Sequence, residues 1–140
     1  DTCVVHSFPG DDTIVKENGH IGHGAVLHGC TIKKNALVGM NAVVMDKAVI
    51  GENSFVAAMS FVKAGTQIPD NVVVAGCPAK VIKELSEQEI SWKVNGTSTY
   101  QYLADRHNAT SKECEPLLEV EPNRMRVPQT DHVSKKEFDA

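Results

Sequence analysis

Residues 38–55 read VGMNAV VMDKAV IGENSF, three hexads that each open on an aliphatic residue and carry a small residue in fifth place. The beat continues in both directions. Aliphatic residues stand at Val15, Ile21, Leu27, Ile32, Val38, Val44, Ile50, Val56, Val62, Ile68 and Val74, in steps of six with one step of five between Leu27 and Ile32. Four places after them come Ala25, Thr31, Ala36, Ala42, Ala48, Ser54, Ser60 and Thr66. Neither a helix nor an ordinary strand repeats every six residues. A solenoid whose coil closes in three short sides does.

The pleat supplies the geometry. A small residue, an exposed one and the next aliphatic residue form a short strand with both ends inward, and the remaining three positions turn a corner. Gly22, Gly39 and Gly51 open corners, and Asn35, Asn41, Asn53, Gly65 and Asn71 close them. Both residue types tolerate left-handed backbone angles. Three hexads make a coil, and coils stack at about 4.8 Å through ladder hydrogen bonds. The reading is a mainly β chain, a parallel β-helix with α-helices after it. The pattern resembles hexapeptide-repeat proteins, and that resemblance implies a left-handed coil.

A chain of 140 residues with net charge -4 suits one domain with a narrow core and argues against nucleic acid as a partner. No apolar run is long enough to span a membrane, and no secretory signal is visible. Cys3, Cys30, Cys77 and Cys114 lack metal or redox spacing, so a reduced, cytoplasmic setting is expected, with Cys30 and Cys77 as small packed or turn residues.

The chain opens on Asp1, already in strand rhythm at Thr2-Cys3-Val4-Val5-His6, so an N-terminal truncation with earlier coils missing is expected. Phe8-Pro9-Gly10-Asp11-Asp12 interrupts the beat between Val5 and Val15 as a loop that could form a lip over a site. Gly76-Cys77-Pro78-Ala79-Lys80 ends the repeats. The β-helix is therefore placed at 1–79, a helical and extended cap at 80–128 and a disordered tail at 129–140. Ser86 and Glu89 make a capping box, with Leu85 and Ile90 as its staple, so a helix starts near Glu87. It is expected to stop at Asn95-Gly96, with a second helix capped by Thr97 or Ser98.

Four of six histidines crowd into the first 28 residues. His6 follows Val5 and His28 follows Leu27, so both open the same corner, one rung apart. Two imidazoles so stacked can share a metal ion. His23 lies at another corner. A third ligand must then come from another chain, which a parallel trimer would supply: His23 of one protomer facing His6 and His28 of the next. His20 reads as a residue supporting the site or lying on the surface, and His107 and His132, without partners in the pattern, are assigned nothing.

Asp1-x4-His6, Gly22-His23-x4-His28-Gly29-Cys30 and Val38-Gly39-Met40-Asn41-Ala42 resemble the γ-class carbonic anhydrase family. Gly76-Cys77-Pro78-Ala79-Lys80, Glu84-Leu85-Ser86-Glu87-Gln88-Glu89 and Glu115-Pro116-Leu117-Leu118-Glu119-Val120-Glu121-Pro122 are similar to its phenylacetate-degradation and carnitine-operon branch. The resemblance implies a homotrimer, Zn2+ (or Fe2+ or Co2+) on His6, His23 and His28 at subunit interfaces, and Asp1 as a carboxylate behind the ligands. It departs from the archetype at Pro9, which replaces a glutamate used in proton transfer.

The leading reading is therefore a metal-dependent enzyme using a zinc-bound hydroxide on a CoA thioester, with weak hydration of CO2 to bicarbonate. A hexapeptide-repeat acyltransferase, with one histidine as base and no metal, is the alternative. A non-catalytic trimeric accessory protein is the third.

Overall fold

The computed structural model describes residues 1–124; the expected tail at 129–140 lies outside the described residues. Short parallel strands build a β-helix of about four coils. The first side stacks β1 (Val4–His6), β4 (Val26–His28), β7 (Val43–Val44) and β10 (Phe61–Val62). The second stacks β2 (Ile14–Val15), β5 (Thr31–Ile32) and β8 (Val49–Ile50). The third stacks β3 (His20–Ile21), β6 (Leu37–Val38), β9 (Phe55–Val56) and β11 (Val72–Gly76). The register is the one the beat demands: Val5 pairs with Leu27, Leu27 with Val44, and Val44 with Val62.

The aliphatic series is the core. Leu27, Ile32, Val38, Val44, Ile50, Val56 and Val74 are fully buried, and Ala25, Ala36, Ala42, Ala48 and Ser54 fill the space between them. Burying each such aliphatic side chain contributes about 1.5–3 kcal/mol. In the first coil Val5 and Val15 hold inward places yet remain half exposed.

The five-residue step corrects one assignment. Cys30, not Thr31, takes the small inward place there: Cys30 is buried, while Thr31 is partly exposed in β5. The corner between Leu27 and Cys30 holds only His28 and Gly29, so the inward rhythm of two resumes a residue early.

The corners divide their work between two positions. The residue just before each inward residue that follows a corner is left-handed: Asn18, Gly24, Gly29, Asn35, Asn41, Lys47, Asn53, Met59, Gly65 and Asn71 all have φ between +54° and +73°. Asparagines at this place also stack, Asn35 donating to Asn53 and Asn53 to Asn71, each at 2.8 Å. Gly22, Gly39 and Gly51 are different, and here the sequence reading needs correction. None has a positive φ. A Cβ at Gly39 would lie 2.5 Å from the Ala58 nitrogen, and one at Gly51 would lie 2.1 Å from the Pro69 oxygen. These glycines let one coil's backbone approach the next.

After Val74 the chain reverses at Cys77-Pro78, a cis bond, and β12 (Ala79–Glu84) returns antiparallel along β11. Ser86 then caps α1 (Glu87–Thr110): its Oγ accepts from the Glu89 N–H at 3.2 Å and its own N–H donates to Glu89 Oε2 at 3.1 Å. The capping box thus forms, but the expected break at Asn95-Gly96 and the second helix do not. Gly96 keeps a helical conformation, and the Ser98 and Thr99 hydroxyls donate back to the Val94 and Asn95 carbonyls. A hydroxyl bonded to the carbonyl four residues before it sits inside a helix; it caps nothing. The chain divides into two compact units, Asp1–Ser91 and Trp92 onward. No helix among the described residues is long and apolar enough to cross a membrane.

Candidate functional site

The parallel pairing of β1 with β4 places His6 opposite His28. Their side chains turn toward each other, with Nδ1 of His6 3.1 Å from Nε2 of His28 and ring centroids 5.2 Å apart. A tetrahedral metal bound at about 2.0–2.1 Å holds two nitrogen ligands roughly 3.3 Å apart. The pair therefore fits a divalent cation with nitrogen ligands.

A residue absent from the sequence reading fixes this pair. Nδ1 of His28 lies 2.6 Å from Oδ1 of Asp46, and both side chains are about four-fifths buried. A carboxylate only accepts, so Nδ1 of His28 carries a proton, and in the neutral ring that leaves the lone pair on Nε2, the atom that faces His6. Asp46 stands 18 residues after His28, one ordinary coil. It reaches down because the shortened corner puts Gly29 beneath it: a Cβ at Gly29 would sit 2.6 Å from Asp46 Oδ1. The coil period was the available signal.

Thr13 locks the corner from the other side. Its hydroxyl donates to the His6 carbonyl at 2.6 Å and accepts from the Gly29 N–H at 2.8 Å. The loop that leaves His6 brings Phe8 to an edge contact with His28, centroids 5.0 Å apart and planes at 73°. The sequence marked this loop as a lip without singling out Phe8.

His23 lies elsewhere, in the corner between β3 and β4, about three-fifths exposed. Its Nδ1 is 3.4 Å from Oδ2 of Asp1. The structure thus groups His6 with His28, and His23 with Asp1. Among the described residues no three His, Cys, Asp or Glu side chains gather within one chain as a metal site. His20 is half-buried in β3 and hydrogen-bonded or paired within the fold. Cys30 is close in sequence but points into the core. Burial pushes its thiol up to about 11, against a weaker opposing effect from the His28 backbone, so it stays protonated at neutral pH and is a poor ligand or nucleophile.

The bacterial transferase hexapeptide model (six repeats) matches residues 29–64. A carnitine operon protein CaiE from Salmonella newport is 52% identical over 136 residues, covering 97% of this chain and 69% of that protein. The chain belongs to the CaiE family of carnitine operon proteins. CaiE of Salmonella enteritidis matches to the same extent. Among solved structures, a Bacillus cereus protein provisionally named an acetyltransferase superposes with TM-score 0.74 at 36% identity, covering 76% of this chain and 62% of its own. A hexapeptide transferase family protein from Anaplasma phagocytophilum gives TM-score 0.71, also at 36% identity, with 76% and 63% covered. Serine acetyltransferase from Brucella abortus gives 0.51 at 28% identity, covering 61% of this chain and 41% of the other. The chain thus spans about two thirds of its CaiE relatives and between 41% and 63% of these solved proteins.

Proposed function

We propose that this CaiE-family chain is a metal-dependent thioesterase of trimeric form. In this reading His6 and His28 of one protomer and His23 of a neighbour hold a zinc ion (iron and cobalt being the other candidates), and the substrate is an acyl-CoA. The observation that carries it is the pair of imidazole nitrogens 3.1 Å apart, with His28 oriented by Asp46. Asp1, beside His23, is the equivalent orienting carboxylate for the third ligand. Hexapeptide-repeat β-helices are typically trimers, which supplies the partner that His23 needs.

Zinc on three histidines with one open position supplies a water acidified toward a pKa of about 7. The chain's own groups do the rest. Asp46 holds the His28 tautomer, Thr13 holds the His6 backbone, and Phe8 packs edge-on against the His28 ring. The overall reaction consumes one water: a C–O bond forms at the thioester carbonyl, the C–S bond breaks, and the products are a carboxylic acid and a thiol.

Fast CO2 hydration needs a mobile proton carrier at the site. Pro9 has none, and Asp11 and Asp12 lie farther along the loop, so CO2 hydration is slow in this reading. The carnitine operon name of the relatives directs the choice of acyl group toward carnitine-type acids, which end in a trimethylammonium.

Acyl transfer is the second reading, favoured by the CoA complex of the Brucella abortus serine acetyltransferase, 27% identical to this chain. One experiment separates them. Thioester hydrolysis and CO2 hydration are measured on zinc-loaded and chelated full-length protein. Hydrolysis that disappears on chelation supports the thioesterase. Turnover that survives chelation and requires an acyl acceptor supports the transferase, and rapid CO2 hydration with no thioester turnover restores a plain carbonic anhydrase. A protein with no turnover in any assay is an accessory trimer.

A further inference from the structure

The corner that carries His23 continues up the solenoid as a strip without charge. Residues 21–28, 38–45 and 56–62 each leave the third side, round this corner and run along the first side, and none contains Asp, Glu, Lys or Arg. The charges of these coils stand elsewhere. Lys33, Lys34, Glu52 and Asp70 fall on the corner between the second and third sides, and Asp46, Lys47 and Lys63 on the corner between the first and second. Asp1, beside His23, is a carboxylate at the foot of the strip.

The strip is also apolar and bare. Met40 is 53% exposed and Met59 71%. They rise above His23 through backbone bonds from the Asn41 N–H to the His23 carbonyl and from the Met59 N–H to the Met40 carbonyl, each 2.9 Å. Met59 holds φ +61°, a backbone that Asn41 takes one coil below and that suits methionine poorly. Beside them the first side turns Val4, Val26, Val43 and Phe61 outward in one stack, Val4 52% exposed and the others partly so. The second side instead sets Thr31 and Gln67 outward, and on the third Phe55 is already buried. Absent charge with exposed methionine and aromatic side chains is the composition of an interface core.

The two edges of the first side hold histidines, His23 before β4 and His28 at its end. In the reading above, His28 of one protomer meets His23 of the next, so opposite edges of the same side are joined. That contact is head-to-tail and closes as a ring, with the first side of every protomer turned inward. The register carries it upward. Met45 follows Val44, which pairs with Leu27, so Met45 stands one coil above His28 as Met40 stands one coil above His23.

We propose that a second copy of the chain covers this strip, that Met40 packs on Met45 of the neighbour, and that this contact assembles the trimer without metal. The three histidines are then gathered before the ion arrives, and the site is incomplete without the contact. The proposal rests on the trimeric part of the reading above and is independent of the thioesterase.

Sedimentation equilibrium of full-length protein, zinc-loaded and chelated, tests it, with circular dichroism as the check on folding. Wild type is trimeric in both states. Met40→Glu, and separately Met59→Glu, puts an unpaired carboxylate into the contact and raises the concentration of half-dissociation about tenfold or more, while the separated chain stays folded. Met40→Leu keeps the trimer, and so does Gln67→Glu on the second side. Adding Met45→Lys to Met40→Glu restores assembly, because every contact then pairs the two charges. A chelated wild type that is not trimeric, or Met40→Glu and Met59→Glu chains as trimeric as wild type, overturns the proposal. Dissociation by Met40→Glu without rescue by Met45→Lys overturns the pairing of Met40 with Met45. Metal-free trimers without thioester turnover support this interface and reject the thioesterase. Zinc-dependent turnover by protein that assembles only with metal does the reverse.

Discussion

Asp46 accepts a hydrogen bond from Nδ1 of His28 at 2.6 Å, reaching down from the next coil over a corner one residue shorter than the others. Without this bond the His28 ring is free to change tautomer and to rotate. Asp46→Asn is expected to keep the fold and lower zinc affinity about 10- to 100-fold, as loss of a carboxylate behind a metal-binding histidine does. His28→Ala is expected to abolish tight binding. Chelator competition on folded protein measures both, and an Asp46→Asn variant with unchanged affinity removes Asp46 from the site.

The separation of His23 from the His6–His28 pair leads to a complementation experiment. Neither His6→Ala nor His23→Ala trimers are expected to bind metal tightly. Mixed trimers of the two variants contain some interfaces that carry all three ligands, so metal binding should return in part. Elemental analysis of isolated mixed trimers reads this out, and a complete absence of metal in them rejects a shared site.

Val44 and Ile50 are fully buried in the aliphatic core of the prism. Val44→Asp or Ile50→Asp places an unpaired carboxylate there, and the expected loss is several kcal/mol, enough to unfold the solenoid. Circular dichroism melts check this. A soluble variant that melts with wild type would contradict the inward placement.

Glycines at two kinds of corner position should respond differently. Gly51→Ala drives a Cβ to 2.1 Å from the Pro69 oxygen, and a backbone neighbour cannot swing aside. A loss of about 2 kcal/mol or more is expected. Gly65 has φ +73° and open space around its missing Cβ, and asparagine tolerates that backbone. Gly65→Asn should stay within about 0.5 kcal/mol of wild type. Denaturant titrations decide, and equal losses at both sites would defeat the distinction.

The coil, its three sides and the pairing of His6 with His28 were legible in the sequence because a period of six leaves one arrangement in which every aliphatic residue is inward. The asparagines before the small residues were legible for the same reason, as markers of left-handed corners. Ser86 and Glu89 announced the helix start because a capping box is a local device. Its end was misjudged at Asn95-Gly96 because turn propensity there is weak beside the continuous hydrogen bonding of a helix already under way.

The sequence by itself determined what repeats or is local: the solenoid, its core, its register and the cap of α1. The tertiary structure alone decided what depends on contacts between coils. The inward turn of Cys30, the reach of Asp46 over Gly29, the clamp of Thr13 and the seat of Phe8 on His28 all arise at one shortened corner. There the six-residue rule lapses at the five-residue step from Leu27 to Ile32, and coil stacking brings together side chains many residues apart.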